Sequence, residues 1–164
     1  MKTQNARPFL KWAGGKRQLL NEFDIRFPSE MKEGRIKTYI EPFVGGGAVY
    51  FYVNNIYTFS ECHIYDINEE LMLAYTVVKK DVEELIDILQ NMESEYLDLD
   101  PEKRKVFYYE TRNRYNEAKR SIQWDKYDNT WILRTADLIF LNKTCFNGLF
   151  RVNSKGEFNA PASG

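Results

Sequence analysis

Three consecutive glycines, Gly45 to Gly47, directly follow an apolar run at residues 39–44 and precede a renewed apolar pattern typical of a helix start. Strand, glycine turn and helix in this order form a βα unit that binds adenosine-containing cofactors at the carboxyl edge of a parallel sheet. Glycine suits such a loop because a Cβ would keep a ligand away from the backbone, and because tight turns often require a positive φ. The alternative for this run is a plain surface linker.

The spacing around the glycines narrows the class of ligand. It is not G-x-G-x-x-G, and no Gly-Lys-Ser/Thr follows, so a cofactor without phosphates, such as S-adenosylmethionine, fits better than a dinucleotide or a nucleotide triphosphate. A second short strand at residues 62–68 carries Asp66 near its end. An acid in this place can hold a ribose hydroxyl pair by two charge-assisted hydrogen bonds. Alternatively, Asp66 caps the helix that Asn68 and Glu69 begin.

A second glycine turn lies near the amino terminus, where Gly14 and Gly15 precede Lys16 and an apolar helical pattern that ends at Pro28. Free backbone N–H groups, the helix dipole and the lysine charge together favour a carboxylate or a phosphate. A degenerate P-loop is the alternative, although Arg17 stands where a magnesium-binding hydroxyl should be. Trp12 either covers an adenine ring or lies in the core, and the sequence alone favours the core.

Length and composition restrict the classes of protein to which this chain can belong. The chain has 164 residues, of which 43% are hydrophobic, enough for one domain with a substantial core. Nothing approaches the roughly 20 apolar residues of a membrane span, and the amino terminus shows no secretory signal. Cys62, Cys145 and the single histidine, His63, form no metal-ligand motif, and we interpret them as core residues. These features predict a cytoplasmic protein with neither a membrane partner nor a metal.

The net charge of −1 argues against indiscriminate nucleic-acid binding, but the charges are unevenly distributed. Residues 66–100 carry two basic and eleven acidic side chains, whereas residues 101–155 carry twelve basic and six acidic ones. Any polyanion is therefore expected to bind after Pro101, where aromatic residues also accumulate. A solvated helical surface with a chance imbalance of charge is the alternative.

Apolar residues at helical spacing predict amphipathic helices over residues 71–78 and 82–89, and a further helix after Asn129, its expected cap. Asp81 and Glu84 resemble a capping box at the start of the second of these helices. The acidic run up to Asp100 predicts a loop. Residues 153–156, Asn-Ser-Lys-Gly, predict a hairpin turn.

Four motifs, in order and spread over nearly the whole chain, resemble the Dam-like (D12 class) DNA adenine-N6 methyltransferases. They are F-L-K-W-A-G-G-K at residues 9–16, Y-I-E-P-F-V-G-G-G-A-V at 39–49, the acid after the second strand, and L-N-K-T-C-F-N-G-L-F-R-V-N-S-K-G-E-F-N-A-P at 141–161. The resemblance implies an α/β fold: a Rossmann-like S-adenosylmethionine-dependent methyltransferase sheet with a helical DNA-recognition insertion. Mapped here, residues 1–80 are the amino-terminal part of the cofactor domain and residues 81–164 are the recognition region, truncated at its end.

The resemblance also implies a cofactor site and a surface for double-stranded DNA. Its implied cofactor residues are Trp12 and Lys16 lining the S-adenosylmethionine site, Asp66 on the ribose, and Phe43, Gly45 and Gly47 in the loop wall. Lys11 and the stretch 146–151, which includes Asn147, match family positions that touch DNA. Within that stretch, an arginine such as Arg151 can read guanine O6 and N7 bidentately. An aromatic ring such as that of Phe146 can fill the gap left by a flipped adenine.

The sequence departs from the family at the catalytic motif. Asp-Pro-Pro-Tyr, expected after the recognition region, is absent, and the nearest match is Leu-Asp-Pro-Glu at residues 99–102. The motif matters because the exocyclic amine of adenine is a poor nucleophile whose lone pair must be localised by the carboxylate and a backbone carbonyl. We therefore expect no catalytic residue in this chain, little methyl transfer by it alone, and a missing carboxyl-terminal half as its partner.

Three functions are open at this point, in decreasing order of support. The first is the amino-terminal part of a DNA adenine methyltransferase. The second is a non-catalytic DNA-binding module that uses the basic segment 101–155. The third, a generic adenosine-binding domain acting on a small molecule, leaves the basic and aromatic segment unexplained.

Overall fold

The computed structural model describes residues 5–163, and the chain divides into two compact units after Asn68. The sequence-based boundary near residue 80 differs from this division because the helix Glu69–Lys80 packs against later helices of the second unit. The assignment of the second region to DNA recognition stays a prediction. Within residues 5–163, no helix is both long and apolar enough to cross a membrane.

The first unit is a mixed α/β structure built around two parallel strands. Its elements are a 3₁₀ turn at Lys16–Leu19, α1 at Leu20–Arg26, α2 at Ser29–Lys32, β1 at Thr38–Glu41, α3 at Ala48–Ile56 and β2 at Glu61–Ile64. The strands pair in register from Thr38 opposite Glu61 to Glu41 opposite Ile64. Both predicted strands and their connection by a glycine turn and a helix are confirmed, although each strand is shorter than its apolar run. Ile40 of β1 remains 62% exposed.

The second unit is helical. It contains α4 at Glu69–Lys80, α5 at Val82–Asp98, α6 at Pro101–Ala118, α7 at Thr130–Thr144 and a 3₁₀ turn at Phe146–Gly148. Helix α7 packs against α4, α5 and α6, and every residue from 134 to 142 is buried. A helix that is buried all round forms the centre of its unit.

The predicted loop in the acidic run is wrong, because α5 continues through it to Asp98. Met92 is buried, and the ring of Tyr96 packs edge-on against Phe140 of α7. Tertiary packing therefore extends the helix beyond the clear apolar stripe. Asp100 instead caps α6, since its carboxylate accepts a hydrogen bond of 2.9 Å from the backbone N–H of Lys103.

Two predicted caps are also replaced by other contacts. The Asp81 side chain makes no capping bond to α5; it accepts a hydrogen bond from the Tyr127 hydroxyl. Asn129 precedes α7 without capping it. Asp128, one residue earlier, accepts a bond of 2.8 Å from the backbone N–H of Thr130.

A buried ion pair joins three helices of the second unit. Arg134 of α7 is 2% exposed, and its Nε donates to Glu70 of α4 at 2.8 Å. Its Nη1 donates to the backbone carbonyl of Tyr115 in α6 at 2.8 Å, and its guanidinium lies 4.1 Å from the centre of the Tyr115 ring. No pattern in the sequence signalled this pair, because an arginine in an apolar helix gives no indication of its partner.

We predict that Arg134→Ala lowers the free energy of unfolding by about 3–5 kcal/mol, because it leaves the Glu70 carboxylate buried and unpaired. Urea denaturation followed by circular dichroism measures the change. Arg120→Ala, which removes an exposed arginine after α6, should change stability by less than about 0.5 kcal/mol. Equal losses in both variants would contradict the structural role of the pair.

Candidate functional site

A cavity of about 680 Å³ lies in the first unit, at the carboxyl ends of β1 and β2. Residues 6–8 and 10–17, the glycine turn after β1 and the start of α3 form most of its walls. Its lining includes the predicted cofactor residues Trp12, Lys16, Phe43, Gly45 and Asp66. Lys11, which the resemblance assigns to DNA, lines the same cavity. Residues that are far apart in the sequence are thus brought to one ligand-sized space.

The Asp66 carboxylate connects the two turns that follow the strands. Its Oδ2 accepts a hydrogen bond of 2.9 Å from the backbone N–H of Gly45, and its Oδ1 accepts one of 2.9 Å from the N–H of Asn68. The capping alternative and the cavity position are therefore compatible, since Asp66 stabilises the turn into α4 and also lines the cavity. Each carboxylate oxygen retains a second lone pair for a ligand.

The glycine turn makes close contact with the segment that carries Trp12. A Cβ on Gly46 would lie 3.1 Å from the Trp12 Cβ and 3.2 Å from the carbonyl oxygen of Leu10. Gly47 has a φ of 80° and is the residue before α3. It is buried and, unlike Gly45, does not line the cavity. Its positive φ, which glycine adopts readily, accounts for a glycine before the helix, and its role in the loop wall of a ligand site stays a prediction.

Glu41, at the end of β1, is a cavity residue that the sequence analysis did not single out. Its carboxylate accepts a hydrogen bond of 2.7 Å from the Tyr39 hydroxyl. Burial raises the pKa of Glu41 above its ordinary value, although the Tyr39 hydrogen bond and the Lys16 charge act in the opposite direction. The available signal was a single acid inside the otherwise apolar run at residues 39–44 that precedes the three glycines.

The predicted DNA-contacting residues other than Lys11 lie in the second unit, in a hairpin at residues 145–162. Isolated bridges pair Cys145 with Ala162 and Val152 with Phe158. The predicted turn at residues 153–156 is confirmed by a bond of 2.9 Å from the N–H of Gly156 to the carbonyl of Asn153. The Asn153 side chain also accepts bonds from the N–H groups of Lys155 and Glu157, at 2.9 and 3.0 Å.

Three predicted residues sit on this hairpin in different environments. The ring of Phe146 is 54% exposed. Asn147 adopts a left-handed conformation with a φ of 59°, which asparagine tolerates better than most residues. Arg151 is exposed, and Asn159 holds its guanidinium from the opposite strand through two hydrogen bonds.

The first unit is thus an α/β unit with a cavity where parallel strands end, the usual place for a ligand in such sheets. The chain also matches, over residues 12–163, the family described as D12 class N6 adenine-specific DNA methyltransferase. It belongs to that family.

Curated relatives agree with this assignment. The chain is 56% identical over 155 residues to the type II methyltransferase M.MjaIII of Methanocaldococcus jannaschii, a match that covers 94% of this chain and 51% of that protein. It is 34% identical over 155 residues to the DNA adenine methylase of Haemophilus influenzae, covering 94% and 46%. With the DNA adenine methylase of Escherichia coli K12 it shares 31% identity over 156 residues, covering 94% and 47%. The chain spans about half the length of the curated relatives it matches.

We predict that Glu41→Gln stabilises the ligand-free protein at neutral pH and has little effect in mild acid. The folded pKa of Glu41 lies above its ordinary value of 4.5, so the folded state binds the proton more tightly than the unfolded state. The free energy of unfolding therefore falls as pH rises from that ordinary value through the folded pKa. Glutamine carries no charge and can still accept the Tyr39 bond. Thermal melts at several pH values should show a melting temperature higher by a few degrees only above the folded pKa.

The matched control for this variant is Glu33→Gln, because Glu33 is exposed in the same unit and pairs with Arg35 at the surface. It should give no gain at neutral pH. A gain in the Glu41 variant of the same size at every pH would contradict a titration of this carboxylate.

Proposed function

We propose that this chain provides the S-adenosylmethionine site and the DNA-recognition region of a site-specific DNA adenine-N6 methyltransferase. The observation that carries the proposal is the gathering of five of the six expected cofactor residues around one cavity at the ends of two parallel strands. In this proposal the two strands belong to a Rossmann-like sheet, and the second unit is the recognition insertion. The chain spans about half the length of the relative named first above, so the proposal covers part of what such an enzyme contains.

The residues around the cavity fit the chemistry of S-adenosylmethionine. Asp66 supplies carboxylate oxygens for a ribose diol, and the rings of Trp12 and Phe43 supply flat apolar surface for an adenine. Lys16 offers a cation for the amino-acid carboxylate of the cofactor. When bound, the cofactor supplies an activated methyl group. The chain's own residues bind and orient it, and the close contact between Gly46 and the Trp12 segment holds the two walls in place.

Activation of the acceptor amine is assigned to a group outside the residues of this sequence. The family's Asp-Pro-Pro-Tyr motif does not occur among these 164 residues. Of the two carboxylates lining the cavity, Asp66 is assigned to the ribose, and Glu41 accepts a hydrogen bond from the Tyr39 hydroxyl. We therefore assign these residues to binding the cofactor and the DNA, and not to activation of the amine.

DNA recognition is assigned to the hairpin at residues 145–162. Its exposed aromatic ring, Phe146, suits insertion into a base stack from which an adenine is flipped. Its exposed cation, Arg151, suits bidentate contact with guanine. The names of the relatives, DNA adenine methylase and type II methyltransferase, support a role in the methylation of duplex DNA, including within a restriction-modification system.

The second candidate function is a DNA-binding module without a methyl donor. The twelve basic side chains of residues 101–155 favour it, whereas the ligand-sized cavity lined by the expected cofactor residues favours the first proposal. Binding of S-adenosylmethionine separates the two.

We predict that the purified chain binds S-adenosylmethionine and that Asp66→Ala weakens binding about tenfold or more, since hydrogen bonds to a charged group are lost. Isothermal titration calorimetry measures the dissociation constants. Asp98→Ala, which removes an exposed acid at the end of α5, should bind as the unmodified protein does. Lys16→Gln is a second test that does not depend on the Asp66 bonds within the protein, and it should also weaken binding. Absence of binding by the unmodified chain would leave only the DNA-binding alternative.

We predict that the chain binds duplex DNA with an affinity that falls steeply as salt increases, because phosphate contacts release counterions. A pool of duplexes with a randomised centre, selected by binding and sequenced, should show a preferred guanine. Arg151→Ala should reduce that preference about tenfold, whereas Arg120→Ala should leave it unchanged while removing the same charge. Salt-insensitive binding, or equal selectivity in both variants, would contradict the assignment of recognition to this hairpin.

A further inference from the structure

The guanidinium of Arg151 is held on one edge by a single residue across the hairpin. Its Nε donates to the side-chain oxygen of Asn159 at 2.8 Å, and its Nη2 donates to the backbone carbonyl of Asn159 at 3.0 Å. The backbone N–H of Asn159 in turn donates to the carbonyl of Arg151 at 2.9 Å. Because arginine only donates hydrogen bonds, the Asn159 amide must present its oxygen to Nε.

These contacts occupy the edge of the guanidinium that carries Nε and leave the outer edge to a ligand. The outer edge consists of Nη1 and the second hydrogen of Nη2, two parallel donors that match a pair of acceptors such as O6 and N7 of guanine. Among the residues that the structure describes, Nη1 of Arg151 donates no hydrogen bond.

The strand that carries Asn159 is itself fixed to helix α6 on both sides of this residue. The Asn116 side chain accepts a bond of 2.8 Å from the N–H of Phe158 and donates one of 3.0 Å to its carbonyl. The Tyr108 hydroxyl donates to the carbonyl of Ala160 at 2.8 Å. The residues on both sides of Asn159 are thus bonded to α6. The Asn159 side chain therefore starts from a fixed backbone position when it bonds to Arg151.

We propose that Asn159 is a positioning residue for sequence recognition, which orients Arg151 so that its outer edge faces a guanine. The proposal rests on the function proposed above for Arg151 and adds the group that orients it. A long exposed arginine would otherwise sample many rotamers and lose that freedom on binding. Asn159 orders the Arg151 side chain before DNA binds. Loss of Asn159 therefore lowers selectivity for the guanine and leaves the general affinity for phosphates unchanged.

The first test needs no DNA. In a ¹⁵N-labelled protein, the Nε–Hε signal of Arg151, assigned by its loss in Arg151→Lys, should exchange slowly with water because it is hydrogen-bonded. Asn159→Ala should accelerate that exchange about tenfold or more. Asn113→Ala, the same change at an exposed position on α6, should leave it unchanged. Asn159→Asp retains an acceptor oxygen and should keep the exchange slow.

The second test uses the pool of duplexes with a randomised centre, with the full chain and its variants. Asn159→Ala should reduce the guanine preference that depends on Arg151 about fivefold, while binding to duplexes without that guanine stays the same. Asn159→Asp should keep the preference, although its negative charge weakens binding to all duplexes alike. Melting temperatures of the variants show whether the hairpin is retained.

The outcomes separate this inference from the proposed function. If Arg151→Ala removes a guanine preference but Asn159→Ala does not, Arg151 reads the base without Asn159 and the inference is wrong. If exchange at Nε is unaffected by Asn159→Ala, the positioning contact does not exist in solution. If the unmodified chain shows no guanine preference, the recognition role of Arg151 is wrong and the inference fails with it, whatever the exchange rates.

Discussion

The carboxylate of Asp66 is the contact on which the arrangement of the cavity walls depends. A parallel sheet delivers the ends of its strands to one edge, but it does not determine the shape of the turns that follow them. This side chain accepts one hydrogen bond from an N–H of the glycine turn and one from an N–H of the turn into α4. It thereby fixes the two turns to each other. The cavity is therefore framed by backbone that is already ordered, and a ligand need not organise it.

The second unit is ordered by a different kind of interaction. There the central helix α7 buries an arginine that reaches both α4 and α6, and a second pair links Arg114 of α6 to the buried Asp137 of α7 at 2.6 Å. Buried charges restrict how helices can pack, because any other arrangement leaves a charge unpaired. Helix α6, which anchors the hairpin, is thus held against α7 by charged groups as well as by apolar packing.

Much of the site could be predicted from local sequence. The glycine turn, the two strands and the hairpin turn each depend on residues within a few positions of one another, so their patterns are visible in the chain. The helical acidic run was missed because the packing of Tyr96 on Phe140 joins residues far apart. Glu41 was missed as a cavity residue and Asn159 as a partner of Arg151 because both depend on contacts that folding provides. Gly47 shows a different case: the glycine run marks it in the sequence, but only the structure shows that its positive φ starts α3.

The contact between Asn116 and Phe158 has a consequence for the edge of the hairpin. The N–H and carbonyl of Phe158 point away from the paired strand, as the free groups of an edge strand do, and the Asn116 amide accepts from one and donates to the other. A helix side chain thus takes the place that another chain's strand would occupy. Exposed strand edges are templates for edge-to-edge association between molecules. At Phe158, Asn116 already occupies the N–H and the carbonyl that such an association would use. The hairpin therefore keeps an extended backbone at Phe158 while the outward N–H and carbonyl of this residue are both bonded.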